Sequence, residues 1–585
     1  MKKTINIIFF VLVICLGTYA QTNDYSYWSL NTGDGLSHSN VKALCSDSRG
    51  MLWIGTVYGL DCWDGYQVKN YFHEVGKSFS LPGNTVNMIT EDQKGTIWIA
   101  TDKGLVYYDR IKDCFIPPYS NINVRIFASH ECKERIIFGG EGLFQYDFIN
   151  QTFKELPLPV SLDQNLVIKG IHQWEKGVIL LVLNSGEVLE LNEISGQVKP
   201  SVFQISSAPI ITSYLDSAQN LFLSIAKVGV LVYDKNGKLK GKLNDKIKPS
   251  IYDDIMDFEE VGGKLIMASD GGGIYVVDLQ DYSQISALQH VPGNCNSLPA
   301  NSITCICKDK SQNIWLGSVR DGVIAITQAL TRTYKDVPLG NPYGLSNKAV
   351  ISNYQDDDGY IWLGTDGGGV NRFNPIDDTF IHYSSTYGQK VISITEYSPY
   401  ELLISCYNSG LYRFNKRTGE CIPFTVLDNE TDHRLSHSTC LVLLHRVSNN
   451  KFLIISRQSY LYDKSSNKFT LLKYSELPKC FDCYELVGQS ENIIYLLQGN
   501  SILEANLDSC KISVFYDIAN DEKVEVCHRD KNGYFWIGTD QGIRYLNSKT
   551  GEYKKLETNF FKRVSAIQSD QDNQLCDSIG ETVPS

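Results

Sequence analysis

Eight side chains able to hydrogen-bond a polyhydroxylated ligand occupy one recurring position in this sequence: Tyr58, Asp102, Lys103, Asp270, Arg320, Asp321, Asp366 and Gln541. They fall in the short phrases TVYG (56–59), TDKG (101–104), SDGGG (269–273), SVRDG (318–322), TDGGG (365–369) and TDQG (539–542). Such residues, held on loops of a rigid scaffold, form a candidate ligand-binding set. Turn formation competes for them, because Asp and Gly are also the residues that tight turns need.

Other chemistry is weaker. The run Asp356-Asp357-Asp358-Gly359 lacks the distal Glu of a helix–loop–helix calcium site, and it stands where DSRG (47–50), DQKG (92–95) and DKNG (530–533) stand elsewhere, so it reads as a turn. His433 and His437 bracket a loop without the adjacent Glu of a metalloprotease helix. Cys480-Phe-Asp-Cys483 is a lone CxxC with no second pair or suitably spaced His, and Cys305 and Cys307 share one strand face. Buried free thiols are the expectation, and neither a metal nor a cofactor is expected. There is no GxSxG elbow, phosphate-binding loop or dinucleotide fingerprint. Carboxylate pairs for glycosidic chemistry meet only in a folded chain, so a propeller-fold glycosidase or lyase acting on polysaccharide stays as the alternative reading.

The elements that must position these turns repeat. MLWIGTVYG (51–59), TIWIATDKG (96–104), NIWLGSVRDG (313–322), YIWLGTDGGG (360–369) and YFWIGTDQG (534–542) recur at multiples of about 44 residues. Seven plainer phrases, among them ERIIFGGEGLFQYD (134–147) and QNLFLSIAKVGVLVYD (219–234), keep the register and bring the count to twelve units. Each unit alternates apolar and polar residues between Gly and Asp turns, which reads as four short antiparallel strands, the blade of a β-propeller. The Trp is expected to fill the space between blades, and the Gly after it to serve a positive φ or a close backbone approach. The fold class is therefore all-β, with tandem β-propellers of four-stranded blades.

GLSHSNV (35–41) and GLSNKAV (344–350) each open a propeller, and their leucines are 309 residues apart, or seven units. The expected organisation is a signal peptide over 1–20, a complete seven-bladed propeller over 21–330, and a second, incomplete propeller over 331–585 with five blades and a sixth broken at Cys576. Tyr25–Leu30 is expected to close the first ring inside its seventh blade. The start, MKKTINIIFFVLVICLGTYA, carries two lysines, an apolar run and a small-residue exit at Ala20, and so predicts export to the periplasm. No later stretch reaches the roughly 18 apolar residues that span a bilayer. A net charge of −12 argues against nucleic acid as a partner.

The best copies of the repeat, 350–370 and 524–543, resemble the two-component regulator propeller repeat. Paired propellers behind a signal peptide look like the sensor half of hybrid two-component systems in polysaccharide-degrading Gram-negative bacteria. That resemblance implies a non-enzymatic region that binds an oligosaccharide released from a polysaccharide and controls transcription of the degradation genes, with a homodimer as a candidate assembly. It carries no kinase function over, because no phospho-accepting His box or ATP-binding glycine motif occurs in this chain. A scaffold surface for another protein is the plainest competing reading.

Overall fold

The computed structural model describes residues 25–579, apart from 120–122, 160–165, 204, 206–208, 244–253, 283, 329–331, 425–442, 456–458, 476–484, 519–521, 557–562 and 570–574. The expected signal peptide, His433, His437 and the Cys480–Cys483 pair lie outside the described residues. The chain divides into two compact units, Asn23–Thr333 and a second that holds Tyr334–Ser585.

Among the described residues, the first unit contains seven four-stranded antiparallel sheets. Blade 1 is typical: Val41–Ser46, Leu52–Thr56, Gly59–Trp63 and Val68–Tyr71, paired in chain order. The innermost strands of blades 2 to 7 are Val86–Glu91, Ile126–Glu131, Ile168–Glu175, Ile210–Leu215, Ile255–Val261 and Ile303–Lys308. Each touches the next, and Ile303–Lys308 returns to Val41–Ser46, which closes the ring. Tyr25–Leu30 lies where the sequence assigns it, as the outer strand of blade 7, in register from Tyr25↔Gln328 to Leu30↔Val323. Closure of this kind leaves no long open sheet edge.

Second strands such as Leu52–Thr56 are buried along their whole length, because neighbouring blades cover both faces. The core is accordingly a set of layers between blades. Trp53 and Leu60 of blade 1 pack with Val86, Ile97 and Ile99 of blade 2. Close approach, and not a positive φ, explains the Gly of the Trp phrase. A Cβ on Gly55 would stand 2.6 Å from Val86 Cγ1, and one on Gly317 would stand 2.7 Å from Val41 Cγ1. Blade 2 places a fully buried Ala100 there instead. The positive φ falls in the turns, as at Gly50 with φ 85°.

The same phrase depends on an Asp six residues upstream. Trp53, Trp98, Trp315, Trp362 and Trp536 donate their indole N–H to Asp47, Asp92, Asp309, Asp356 and Asp530 at 3.0, 2.9, 3.0, 2.7 and 3.1 Å. The second carboxylate oxygen accepts turn amides, as Asp92 does from Lys94 and Thr96 at 2.9 Å each. The Asp356 run is thus a turn, as its position among the repeats implies.

Among the described residues, the second unit contains three four-stranded sheets, one eight-stranded sheet and a two-stranded sheet. The eight-stranded sheet departs from simple repetition. Its outer strands, Lys468–Tyr474 and Lys511–Asp517, have seven residues each, against three to five in the outer strands of the first unit's blades 1 to 6. Their ends meet in parallel at Lys473↔Lys511 and Tyr474↔Ile512, which joins two blades edge to edge. Among the described residues no helix is long and apolar enough to cross a membrane.

Asp92→Ala would strand one indole and two amide donors, with Asp92 itself only 5% exposed. Its cooperative unfolding in urea should lose about 2–4 kcal/mol. Asp357→Ala, at an exposed turn position, should change stability by less than about 0.5 kcal/mol. Equal effects would remove the Asp–Trp bond from its structural role.

Candidate functional site

The turns that carry the candidate residues are locked by a buried hydroxyl. Thr56, fully buried, donates to the Gly59 carbonyl at 3.0 Å and accepts the Tyr58 amide at 3.0 Å. Thr101, Ser318, Thr365 and Thr539 make the same closing bond at 2.9–3.1 Å. This is why the phrase ends in Thr or Ser. The turn backbone is fixed from inside, and the central side chains point outward.

The loops that lead into the innermost strands then stitch successive turns together. Asn40 O accepts from the Val57 amide, and Ser39 O from the Gly322 amide, both at 3.1 Å. Thr85 donates its hydroxyl to Val57 O at 3.1 Å and accepts the Asp102 amide through its carbonyl at 2.8 Å. Asn301 O accepts from Gly271 at 3.0 Å, and the adjacent Ser302 O accepts from Val319 at 3.1 Å. The turns of blades 6, 7, 1 and 2 therefore form one continuous arc, bearing Asp270, Arg320, Asp321, Tyr58, Asp102 and Lys103. Asp366 and Gln541 belong to two separate blades of the other unit.

Within the arc the side chains divide into two kinds. Tyr58 is 57% exposed, its ring centroid 6.0 Å from that of Phe72, which is 38% exposed. Lys103 and Arg320 are exposed, and no described carboxylate pairs with them. Asp321 is exposed too, while its amide donates to Ser318 Oγ at 2.8 Å. The other carboxylates are engaged. Asp102 accepts the Thr85 amide at 3.3 Å, Asp270 accepts the Ser302 hydroxyl, and Asp366 pairs with Lys390 at 3.0 Å. Gln541 is exposed, and its backbone amide donates to Thr539 Oγ1 at 3.1 Å, as the Tyr58 and Lys103 amides do in their own turns.

A cleft of about 570 Å³ lies between the outer parts of blades 1 and 2, lined by Trp53, Tyr71, Tyr108, Lys69, Arg49 and Arg110 among others. Its polar groups largely satisfy one another. Arg110 binds Asp47 at 2.8 Å, Lys69 binds Asp113 at 2.5 Å, and both tyrosine hydroxyls donate to Asp113. Burial would raise the Asp47 carboxyl, but hydrogen bonds from Trp53, Arg110 and the turn amides hold it below the usual range. This cleft is an inter-blade clamp.

Sequence reasoning missed the channel wall of the first unit. Asp257, on the innermost strand of blade 6, accepts the amides of Ile306 and Phe258 at 2.9 Å each. Enclosure by the surrounding strands pushes its carboxyl up to about 7, against those two hydrogen bonds, with Glu259 adding to the rise. His172 shares a 2.8 Å hydrogen bond with Ser213, and burial holds its imidazole down at about 4, so it is neutral near pH 7. Burial also pushes up the free thiols of Cys305 and Cys307. Among the described residues no cluster of His, Cys, Asp and Glu could hold a metal ion.

Three segments, 35–58, 80–103 and 297–320, match the two-component regulator propeller family. No curated protein matches the chain. Among solved structures, the chain is similar to one described as the extracellular domain of a hybrid two-component system from B. thetaiotaomicron. That likeness has 21% identity and a TM-score of 0.70 over 95% of this chain and 76% of that one, and it shows the same fold. A second B. thetaiotaomicron extracellular domain, described as part of a one-component system, has 17% identity and a TM-score of 0.44 over 94% of this chain and 80% of that one. Virginiamycin B lyase from Staphylococcus aureus has 13% identity and a TM-score of 0.41 over 52% of this chain and 99% of the lyase.

Because its folded pKa lies above the unfolded value near 3.9, Asp257 favours the native state most at low pH. That contribution falls as pH rises from about 4 through about 7, by about 4 kcal/mol at most. Asp257→Asn should flatten this part of the stability–pH curve, read by urea unfolding at pH 5, 6, 7 and 8. An unaltered slope would mean that the carboxylate is solvated through the channel.

Proposed function

We propose that the chain is the ligand-sensing propeller region of a hybrid two-component regulator, exported to the periplasm. In this reading it binds an oligosaccharide released from a polysaccharide, and the bound state controls transcription of the degradation genes. The observation behind this reading is the arc of four stitched turns, which holds an exposed aromatic pair beside uncommitted cations. Tyr58 and Phe72 offer apolar faces to a sugar ring, while Lys103, Arg320 and Asp321 offer hydrogen-bonding groups to its hydroxyls. A few placed polar groups around an aromatic surface are the usual composition of a small-molecule site. Asp102 and Asp270 shape the arc through its loops, while in the second unit Asp366 pairs with Lys390 and Gln541 stands exposed on its turn. The matching family repeats support the sensor role.

Purified protein incubated with a panel of neutral and acidic oligosaccharides should show a raised melting temperature with one class and no chemical turnover. Tyr58→Ala and Arg320→Ala should each weaken that binding about five- to tenfold by calorimetry, with the ligand-free melting temperature unchanged. New reducing ends or unsaturated products would overturn the sensor reading in favour of an enzyme. Unchanged affinity in both variants would move the site away from these turns.

A further inference from the structure

Each innermost strand of the first unit carries a register shift after its first residue. The first residues, Val41, Val86, Ile126, Ile168, Ile210, Ile255 and Ile303, are at most 3% exposed. Three of them press directly on the preceding blade: Val41 on Gly317, Val86 on Gly55 and Ile168 on Gly139. The extra residue of each bulge is left unpaired in the ladder and re-aimed. Lys42, Asn87, Phe127, Lys169, Ile211, Met256 and Thr304 hold these seven places, and none of them is buried. They form a ring at the channel mouth, on the face that carries the stitched turns.

The chemistry of the ring is one-sided. Lys42 and Lys169 have no carboxylate partner among the described residues, and Lys169 lies only over the Phe127 ring, 4.5 Å from its centroid. Blades 1 and 4 are not neighbours, yet the charge of Lys42 reaches Lys169 across the mouth. Burial first, then the charges of Arg125 and Lys42, hold the Lys169 ammonium below the ordinary lysine range. Asn87 adds a buried Nδ2 donor with no hydrogen-bond partner. Three carboxylates on or beside the blade strands are bonded elsewhere: Glu141 to Arg125 at 2.8 Å, Asp254 to the Lys227 amide and Asp257 to two amides. A buried unmatched donor costs about 1–3 kcal/mol, and facing ammoniums without a counter-charge repel. One oxyanion placed between them would remove both penalties.

We propose that the channel mouth of the first unit binds a single anionic group, the carboxylate or sulfate of an acidic saccharide, through Lys42, Lys169 and Asn87. Phe127 supplies an apolar wall for the sugar that carries it. The nature of the carrier rests on the oligosaccharide reading above, whereas the anion site does not.

The full chain is tested by thermal unfolding and calorimetry with sodium sulfate, sodium glucuronate and glucose, at ionic strength matched with sodium chloride. Sulfate and glucuronate should raise the melting temperature where chloride and glucose do not. Lys42→Met and Lys169→Met should each weaken sulfate binding at least tenfold, as expected for loss of one charge-assisted contact. Their ligand-free melting temperatures should be unchanged or higher, because a like charge has gone. Equal sulfate responses in the wild type and both variants would overturn the site. A sulfate response lost in the variants, with no saccharide bound by the wild type, would keep the anion site and remove the saccharide reading. Binding of a neutral oligosaccharide, untouched by either variant and without any sulfate response, would do the reverse.

Discussion

The bond from an Asp carboxylate to a Trp indole six residues later is what five of the blades are built on. An indole is the largest apolar surface a side chain can bury, but it carries one N–H that must not be left unmatched. Asp47, Asp92, Asp309, Asp356 and Asp530 each answer it from within a turn whose amides they also accept. The buried carboxylate is balanced by donors on both oxygens, so Trp53, Trp98 and Trp362 can be about 1% exposed between blades. At two places the following blade supplies a cation as well. Arg110 reaches Asp47 at 2.8 Å and Lys416 reaches Asp356 at 3.4 Å, from equivalent positions just past a third strand. One carboxylate thus organises a turn, a core side chain and a neighbour.

In these five blades this anchoring fixes one end, and the Thr or Ser lock fixes the other. Packing the first residue of an innermost strand against the preceding blade's Gly then leaves the strand one residue long on the channel side. The bulge absorbs that residue and turns it toward the mouth. Positions that a ligand can reach are therefore consequences of blade-on-blade packing, and their side chains are free to vary in chemistry without disturbing the layers between blades.

The period, the blade and the closing strand were legible because they are written in residue types: Trp, Gly-Thr and alternating apolar residues at fixed spacing. The placement of the eight turn residues was legible for the same reason. Their individual availability was not. Asp102 and Asp270 read like Asp321, yet the first two are bonded to Thr85 and Ser302, in loops distant in sequence that lead into innermost strands. Lys42, Asn87 and Lys169 were invisible for a different reason. A period-two pattern has no place for a bulged residue, so each reads as one more solvent-facing strand position. Likewise the outer strands that join in parallel at Lys473 and Lys511 follow from strand length, which repeat grammar leaves open.

The two units show how far a shared phrase constrains chemistry. Gly-Leu-Ser opens both, and in both the Ser meets a fully buried polar residue on the third strand. Ser37 donates its amide and hydroxyl to Asp61 at 3.0 and 2.9 Å, whereas the Ser346 amide donates to Asn371 at 2.8 Å and Asn371 donates back to the hydroxyl at 2.7 Å. The geometry is common, but one unit uses a carboxyl and the other an amide. Burial raises the Asp61 carboxyl against the bonds from Asn70 and Ser37 that favour its charge. At the bulge positions the difference is greater. The second unit places Ile351 and Ile392 where the first places Lys42 and Asn87, and its Glu525 is held by Lys523 and Arg563 at 3.0 and 3.3 Å. An unpaired cationic mouth is therefore not a by-product of the repeat. It is a property of one ring, set by single residues at positions that the fold supplies to both.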